Sequence, residues 1–234
     1  MLSIILPVHN EAAILRDSVA ALEGSLRSLG RDYEMIIAED GSTDDCAEIA
    51  RSLASRTVRP VITAARLGRG RSLTNAFKEA KGDTIAYLDA DLATDLVHLK
   101  ALVEKMDRGA DICIGSRLIR GSKVEGRSAI RELSSKGYNL LLRILFGSKV
   151  HDHQCGFKAF RKSSVLPLLE KVKDNHWFWD SELLILAQRQ GLKVEEIPVS
   201  WNDRAESRVR LGNDILYMGL AALRLRCQLC FGKQ

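Results

Sequence analysis

Short apolar runs alternate with longer stretches of helical periodicity through the first half of the chain. The runs "LSIILPV", "YEMIIAE", "PVITA", "DTIAYLDAD" and "ADICIGSR" are typical of strands that are buried on both faces. Between them, apolar residues recur with the spacing of amphipathic helices, for example over residues 11–29 and 95–108. This β-α-β alternation predicts an α/β fold with a central, mostly parallel sheet and helices on both of its faces.

The second half of the chain is less regular but contains the same kinds of element. Residues 128–147 and 178–190 are predicted helices, "CGFKAFRK" is a predicted short strand, "LKVEEIPVSW" is a predicted strand, and residues 213–230 form a predicted final helix. The chain has 234 residues, four prolines, no low-complexity linker and no evident repeat. We therefore expect residues 1–234 to form a single domain.

Composition narrows the class of protein without assigning a function. Hydrophobic residues make up 46% of the chain, which is enough for a packed core and too much for a disordered protein. The net charge of +5 is the difference between 35 basic and 30 acidic residues. Because this surplus is small and no aromatic-basic stripe is present, we predict that nucleic acid is not a partner.

Cysteine usage and hydropathy bear on the compartment. Five irregularly spaced cysteines argue against a disulfide framework and favour a reducing environment. Cys227 and Cys230 form a C-x-x-C without a second pair, so two small residues on a terminal helix are a better interpretation than a metal or redox site. No signal peptide and no run of about 20 apolar residues is visible, so we expect no membrane-spanning segment within these residues.

Polar residues follow each of the first five predicted strands, at the edge where open parallel sheets bind ligands. Asp89 and Asp91 follow an apolar run directly, with only Ala90 between them. Two carboxylates this close repel each other, and a hard cation such as Mg²⁺ or Mn²⁺, shared with substrate phosphates, would compensate them. A helix-capping acid beside a solvated acid is the alternative interpretation.

Two more segments at the same edge have the composition of a nucleotide site. In "EDGSTDD", Gly41 permits a tight turn and the acids can accept hydrogen bonds from a base or a ribose, although a turn with a helix N-cap explains the segment equally well. In "RLGRGRS", backbone N–H groups and Arg69 would bind a diphosphate at the start of a helix. A basic surface loop fits that segment as well.

Five motifs together resemble one enzyme family. In chain order they are "ILPVHNE" (5–11), "EDGSTDD" (39–45), "DAD" (89–91), "GSR" (115–117) and "HQCGFKAF" (153–160). This series resembles the family 2 glycosyltransferases, in particular the polyprenyl-phosphate branch of dolichyl-phosphate mannose and glucose synthases. "QCGFKAF", "WDSELLILAQ" and "PVSW" look most like the glucose synthases, and the resemblance covers essentially the whole chain.

The resemblance implies a GT-A, or Rossmann-like, fold, a divalent cation and a nucleoside-diphosphate sugar donor such as UDP-glucose or GDP-mannose. Asp89 and Asp91 would hold the cation. The other binding residues that it implies are Pro7, His9, Glu11 and Asp40 for the nucleotide, Arg117, Arg131 and Ser135 for acceptor and donor phosphates, Gln154 for the sugar, and Arg204, Ser207 and Arg208 for a loop that closes over the donor.

Two further acids, Asp180 and Glu182, lie in "WDSE". The residues that we predict to take part in catalysis are Asp89, Asp91, Arg117, Arg131, Asp180 and Glu182.

Three positions depart from the family pattern. His9 stands where an aromatic residue is usual, Glu39 replaces the first acid of "DDGS", and Ala93 replaces the glutamine of the "DADLQ" that mannose synthases usually carry. Ala93 offers neither metal nor sugar a polar side chain. This difference favours glucose over mannose as the transferred sugar.

The predicted function is metal-dependent transfer of a hexose, with inversion, from a nucleoside-diphosphate sugar to a polyprenyl or dolichyl phosphate. Because a phosphate monoester is already anionic near pH 7, with a second pKa of about 6, this acceptor needs positioning and arginine partners more than a strong base. A family 2 enzyme with a glycan or polysaccharide acceptor is the first alternative, and Asp180 or Glu182 would then serve as its base. A non-catalytic nucleotide-sugar-binding protein is the second alternative.

A polyprenyl acceptor predicts a membrane-associated protein. The helices at residues 128–147 and 213–230 combine apolar faces with basic residues, as do helices that lie on an anionic membrane surface. Ordinary core packing is the alternative for each helix. We expect both helices to be interfacial and the protein to be peripheral, on the cytoplasmic face of the membrane.

Overall fold

A seven-stranded sheet is the centre of the fold. In a computed structural model of the chain, which describes residues 1–203 and 213–231, the sheet has the strand order β3-β2-β1-β4-β7-β5-β8. A separate pair is formed by β6 and β9. The strands are β1 (Leu2–Val8), β2 (Tyr33–Asp40), β3 (Val58–Thr63), β4 (Thr84–Leu88), β5 (Ile112–Ser116), β6 (Lys123–Glu125), β7 (Phe157–Arg161), β8 (Val194–Pro198) and β9 (Ser200–Asn202).

Helices cover both faces of this sheet, which explains why its strands read as continuous apolar runs. One face packs against α1, α2 and α4, and the other packs against α3, α6 and α7. A third apolar cluster joins α5, α7 and α8. The helices are α1 (Ala12–Ser28), α2 (Cys46–Ser52), α3 (Arg69–Glu79), α4 (Leu99–Asp107), α5 (Ala129–Phe146), α6 (Lys162–Leu169), α7 (Trp179–Arg189) and α8 (Asn213–Phe231).

The predicted α/β class with a mostly parallel sheet is confirmed, and β7 is the exception to parallel order. It lies between β4 and β5 and runs antiparallel to both. Its first residue, Phe157, pairs with Leu88, the last residue of β4. The segment that precedes β7 therefore lies at the edge where β4 ends.

Several local features differ from the sequence prediction, among them the short strand β6, which was not predicted. The helix predicted over residues 95–108 begins with a 3₁₀ turn, Leu96–His98, because the Asp95 carboxylate accepts a hydrogen bond from the backbone of Val97. The strand predicted in "LKVEEIPVSW" divides into β8 and β9, and β9 leaves the main sheet to pair with β6. Helix α6 was not predicted, and Pro167 lies inside it.

Helices α5 and α8 end close to the predicted bounds. Across residues 1–203 and 213–231, no helix has both the length and the apolar character needed to cross a membrane.

Candidate active site

Asp89 and Asp91 lie immediately beyond β4, as the sequence predicts. The Asp89 backbone N–H donates to the carbonyl of Gly156 at 2.9 Å, and the Asp91 carboxylate accepts a hydrogen bond from the backbone of Ala93 at 3.0 Å. The Asp89 side chain is 44% exposed, and Asp91 is also partly buried. Burial and the negative charge of Asp89 raise the pKa of Asp91, so the protein alone does not fully compensate this pair.

The donor atoms of this pair fit a hard divalent cation. In the part of the chain that the structure describes, no cluster of three or more His, Cys, Asp or Glu side chains could hold a metal ion. Mg²⁺ and similar ions are commonly held by one or two carboxylates, with water and substrate phosphates completing the coordination. The two adjacent carboxylates of Asp89 and Asp91 meet that requirement, and Asp89 also forms an ion pair with Arg69.

Gly156 allows the loop before β7 to approach Asp89 closely. A Cβ atom at this position would lie 1.8 Å from Asp89 Oδ2, which is far inside van der Waals contact. A glycine is therefore needed for Asp89 to keep its present orientation beside this backbone.

Arg69, the first residue of α3, connects Asp89 to Asp180. Its two terminal nitrogens donate to Asp89 Oδ1 at 2.7 Å and to Asp180 Oδ2 at 2.8 Å. Both carboxylates raise the pKa of Arg69 against the effect of burial. The contact of Arg69 with a diphosphate stays a prediction. In the structure, the hydrogen bond from Arg69 fixes the orientation of the Asp89 carboxylate.

A lysine and a tyrosine that sequence analysis did not select complete this network. Lys158, in β7, is fully buried and donates to Asp180 Oδ1 at 2.7 Å and to the Tyr87 hydroxyl at 2.8 Å. The Tyr87 hydroxyl donates in turn to Asp180. Burial would raise the pKa of Asp180, but Lys158 and Arg69 outweigh burial, and this pKa is lowered. A lysine in the apolar run "GFKAF" is the only signal for it that the sequence carries.

Asp40 holds the loop before α3 against the end of β2. Its two carboxylate oxygens accept hydrogen bonds from the backbone N–H groups of Leu67 at 2.7 Å and Gly68 at 3.0 Å. Gly68 has a φ of 98°, a conformation that favours glycine. The nucleotide contact predicted for Asp40 stays a prediction; its observed contacts explain how "RLGRG" reaches the site.

The other residues predicted to bind the nucleotide surround the ends of β1 and β2. His9 Nδ1 lies 2.9 Å from the backbone carbonyl of Asp40, Pro7 pairs with Ala38 inside the sheet, and Glu11 lies immediately before α1. Glu39 is fully buried, and its Oε1 accepts from the backbone of Ser42 at 2.6 Å. Its Oε2 is buried without a hydrogen-bond partner among the described residues.

Arg117 is held by a buried carboxylate that sequence analysis missed. Asp152 accepts from Arg117 Nε at 2.7 Å and from Nη2 at 2.9 Å, and it also accepts from the Arg117 backbone at 3.0 Å. Burial would raise the pKa of Asp152, but Arg117 lowers it strongly. This bidentate pair fixes the plane of the Arg117 guanidinium.

The remaining predicted phosphate ligands lie on α5. Arg131 Nη1 is 3.1 Å from Asp203 Oδ2. Ser135 is 5% exposed, and its hydroxyl has no hydrogen-bond partner in residues 1–203 and 213–231. Arg204, Ser207 and Arg208 lie outside the described residues, and the loop function predicted for them stays a prediction.

Gln154 and Glu182 contact other parts of the molecule. The Gln154 amide nitrogen is 3.3 Å from the sulfur of Met218 in α8. The buried Glu182 carboxylate accepts from the backbone N–H groups of Lys173 at 3.0 Å and Asp174 at 2.8 Å, and burial raises its pKa. The carbonyl of Asn175, next in this loop, accepts from the first turn of α3, so Glu182 supports Arg69 indirectly.

The α/β sheet, the acid pair beyond β4 and the nucleotide-like loops beyond β1 and β2 are features of a nucleotide-sugar transferase. The chain belongs to glycosyl transferase family 2: the family described as Glycosyl transferase family 2 matches residues 3–168. The predicted enzyme class, a glycosyltransferase, is confirmed.

Relatives place the chain within this family. It is 44% identical over 232 residues to Glycosyltransferase AglD of Haloferax volcanii, an alignment that covers 97% of this chain but 37% of that protein. It is 28% identical to the Dolichyl-phosphate beta-glucosyltransferase of Saccharomyces cerevisiae (99% of this chain, 75% of that protein). It is 31% identical to the Dolichol-phosphate mannosyltransferase of Pyrococcus furiosus (92% and 60%). The predicted resemblance to the polyprenyl-phosphate branch is confirmed.

A solved structure confirms the GT-A fold. Glucosyl-3-phosphoglycerate synthase of Mycobacterium tuberculosis, in complex with Mn²⁺, UDP and phosphoglyceric acid, superposes with a TM-score of 0.68 at 22% sequence identity. The match covers 97% of this chain and 78% of that one.

Proposed function

We propose that the chain transfers a hexose, glucose in preference to mannose, from a nucleoside-diphosphate sugar to the phosphate of a polyprenyl or dolichyl phosphate, with inversion at the transferred carbon. The main support for this proposal is that the Asp180 carboxylate is already engaged in hydrogen bonds. Its carboxylate already accepts from Lys158, Arg69 and Tyr87, and its pKa is lowered, which makes it a poor general base. An acceptor that is already an anion needs no such base.

The same observation counts against the alternative with a glycan acceptor. A hydroxyl nucleophile has to lose a proton, and the two acids predicted for that task are Asp180 and Glu182. Glu182 is committed to the backbone of the loop before α7. A phosphate acceptor is therefore the better chemical match to the residues present.

A divalent cation, Mg²⁺ or Mn²⁺, fits beside Asp89 and Asp91. When bound, it would supply positive charge to the diphosphate that leaves. The related fold of the Mycobacterium tuberculosis enzyme, in complex with Mn²⁺ and UDP, supports a metal-dependent use of such a site.

The acceptor class and the sugar rest on different arguments. The yeast and Pyrococcus relatives are named for dolichyl phosphate, which supports a polyprenyl phosphate here. Because one is a glucosyltransferase and the other a mannosyltransferase, they do not select the sugar. Ala93 favours glucose: its side chain is apolar and 6% exposed, and its backbone is engaged by Asp91 and Asn202.

A transfer assay tests the proposal directly. The protein is incubated with Mn²⁺ or Mg²⁺, a short-chain polyprenyl phosphate and either UDP-glucose or GDP-mannose, and radioactive sugar is counted in the organic phase. We expect extractable sugar from UDP-glucose, and loss of that product when EDTA is added. Extractable mannose alone would correct the sugar, and product that appears only with a glycan acceptor would refute the proposed acceptor.

We also propose that α5 and α8 place the protein at the cytoplasmic face of a membrane. Each helix carries large apolar side chains that are about half or more exposed: Ile130, Leu133, Leu140 and Ile144 on α5, and Leu216, Leu220 and Leu223 on α8. Exposed cations on the same helices are Lys136, Arg143, Arg224 and Arg226. Apolar side chains beside cations complement an anionic lipid surface, where a polyprenyl phosphate also resides.

We expect the double variant Leu133→Asp/Ile144→Asp to bind vesicles rich in phosphatidylglycerol at least about tenfold more weakly than the unmodified protein, because two inserted apolar side chains are lost. Co-sedimentation over a series of lipid concentrations measures this change. Val97→Asp is the matched control, since Val97 is 69% exposed on the 3₁₀ turn. Equal binding by the double variant, or no binding by the unmodified protein, would show that something other than lipid covers this surface.

A further inference from the structure

Two guanidinium groups lie over the ring of one tryptophan near the acid pair. The Cζ atom of Arg117 is 5.5 Å from the centre of the Trp201 ring, and the Cζ atom of Arg127 is 5.7 Å from it. Trp201 is in β9, and Arg127 lies between β6 and α5. The pairing of β6 with β9 brings these distant parts of the chain together.

Among the described residues, Arg127 differs from the neighbouring arginines in lacking a carboxylate partner. Arg117 is neutralised by the buried Asp152, and Arg131 is paired with Asp203. Within residues 1–203 and 213–231, Arg127 makes no ion pair, and its Nη1 is buried without a hydrogen-bond partner. Burial and the positive charge of Arg117 lower the pKa of Arg127 to about 10, so it still carries its charge at neutral pH.

An enclosed cation without a partner destabilises a folded protein. A ligand that pairs with the cation when it binds would explain why such a residue is present. The Trp201 ring stabilises the Arg127 guanidinium through its face, but Nη1 still has no hydrogen-bond partner among the described residues. A planar guanidinium with free N–H groups is the preferred partner of phosphate oxygens. The missing partner of Arg127 is therefore an anion of this kind.

Arg127 lies next to the predicted catalytic edge. β9 runs along the segment that follows Asp91: Thr94 forms an isolated bridge with Trp201, and the backbone of Asn202 donates to the carbonyl of Ala93 at 2.8 Å. Asp89 is also close enough to Arg117 to raise its pKa. An anion bound by Arg127 would thus be near the acid pair that we expect to hold the donor diphosphate through its cation.

We propose that Arg127, supported by the Trp201 ring, binds the phosphate monoester group of the acceptor, while Arg117 acts as a positioning residue whose own charge is taken up by Asp152. The proposal rests on the proposed transfer to a lipid phosphate, and it names the residue that makes the contact. The two neighbouring arginines, Arg117 and Arg131, already have carboxylate partners.

The test compares Arg127→Gln with Arg120→Gln, an exposed arginine on the other side of β6, in the connection between β5 and β6. For Arg127→Gln we expect both the dissociation constant and the KM for a short-chain polyprenyl phosphate to rise about 10- to 100-fold, which is typical for a lost charge-assisted hydrogen bond. The KM for the donor should change less than about threefold. Arg120→Gln should behave like the unmodified protein.

Thermal unfolding distinguishes binding from a structural role. Because Arg127→Gln removes an unpaired, enclosed charge, its unfolding midpoint without ligand should equal or exceed that of the unmodified protein. A lowered midpoint with parallel losses in donor and acceptor binding would overturn the proposal in favour of a structural role. An unchanged acceptor KM would also overturn it, and so would a donor KM that rises as much as the acceptor KM.

Isothermal titration without donor separates this proposal from the proposed function. Failure of the unmodified protein to transfer sugar would refute the proposed function, while weaker binding of polyprenyl phosphate by Arg127→Gln would still support the Arg127 contact. Inorganic phosphate serves as the second ligand. If it binds as tightly as the polyprenyl phosphate, the site is one for free phosphate, and the lipid acceptor is overturned.

Discussion

Asp91→Asn is expected to lower the rate of sugar transfer by about 100- to 1000-fold, the scale seen when one electrostatic stabiliser of a transition state is removed. The substitution keeps the shape of the side chain and an oxygen that can accept from the backbone of Ala93. It removes one of the two negative charges that we expect to hold the divalent cation. Initial rates at saturating Mn²⁺, together with Mn²⁺ binding measured calorimetrically in the presence of UDP, check this prediction.

Asp95→Asn is the matched control for Asp91→Asn, because Asp95 is exposed and an asparagine can still accept from the backbone of Val97. The control should keep both activity and Mn²⁺ affinity. An Asp91→Asn protein with normal affinity for Mn²⁺, or one that is fully active in EDTA, would contradict the metal site.

Lys158→Met is expected to reduce the free energy of unfolding by about 3–5 kcal/mol, the usual cost of removing one partner of a buried charge pair. Methionine nearly preserves the volume of the side chain, so the loss would come from charge. Without Lys158, the buried Asp180 keeps only Arg69 to balance it, while Arg69 must also balance Asp89. Denaturant unfolding followed by circular dichroism measures the change.

Lys78→Met provides the comparison on the surface. Lys78 forms an ion pair with Glu170 in which both side chains are largely exposed, and such pairs contribute little to stability. The unfolding midpoint of the Lys78→Met variant should match that of the unmodified protein. The double variant Lys158→Met/Asp180→Asn should recover part of the lost stability, because the buried carboxylate that Lys158 balanced is removed as well. A double variant less stable than Lys158→Met would contradict this explanation.

The sequence predicted the fold well where each element carries its own signal. β1 to β5 and α1 to α4 were recognisable because apolar runs and helical periodicity are local properties. The position of β7 was not, because strand order depends on which edges meet in the folded chain. Helix α6 was missed since Pro167 lies within a short segment whose helical form depends on packing against the sheet.

In the candidate site, too, residues with a local sequence signal were predicted, and contacts between distant segments were not. Asp89 and Asp91 were predicted from their place after a strand, and the structure puts them there. Their supports were not predicted: Lys158 is 71 residues from Tyr87, and Asp152 is 35 residues from Arg117. No spacing rule connects such pairs. Arg127 was also missed, since its distinguishing property is the absence of a partner among the described residues, which a sequence does not reveal.

The antiparallel β7 also affects the order in which the strands of the sheet can pair during synthesis. β4 is made long before β7, and until β7 arrives the edge of β4 that it will cover has unpaired backbone groups. β5 likewise waits for β7 before it can join the sheet through that edge. The nascent chain therefore cannot close its sheet until the segment after residue 156 has left the ribosome. A protein cut before this point would expose an open strand edge, which is a template for aggregation.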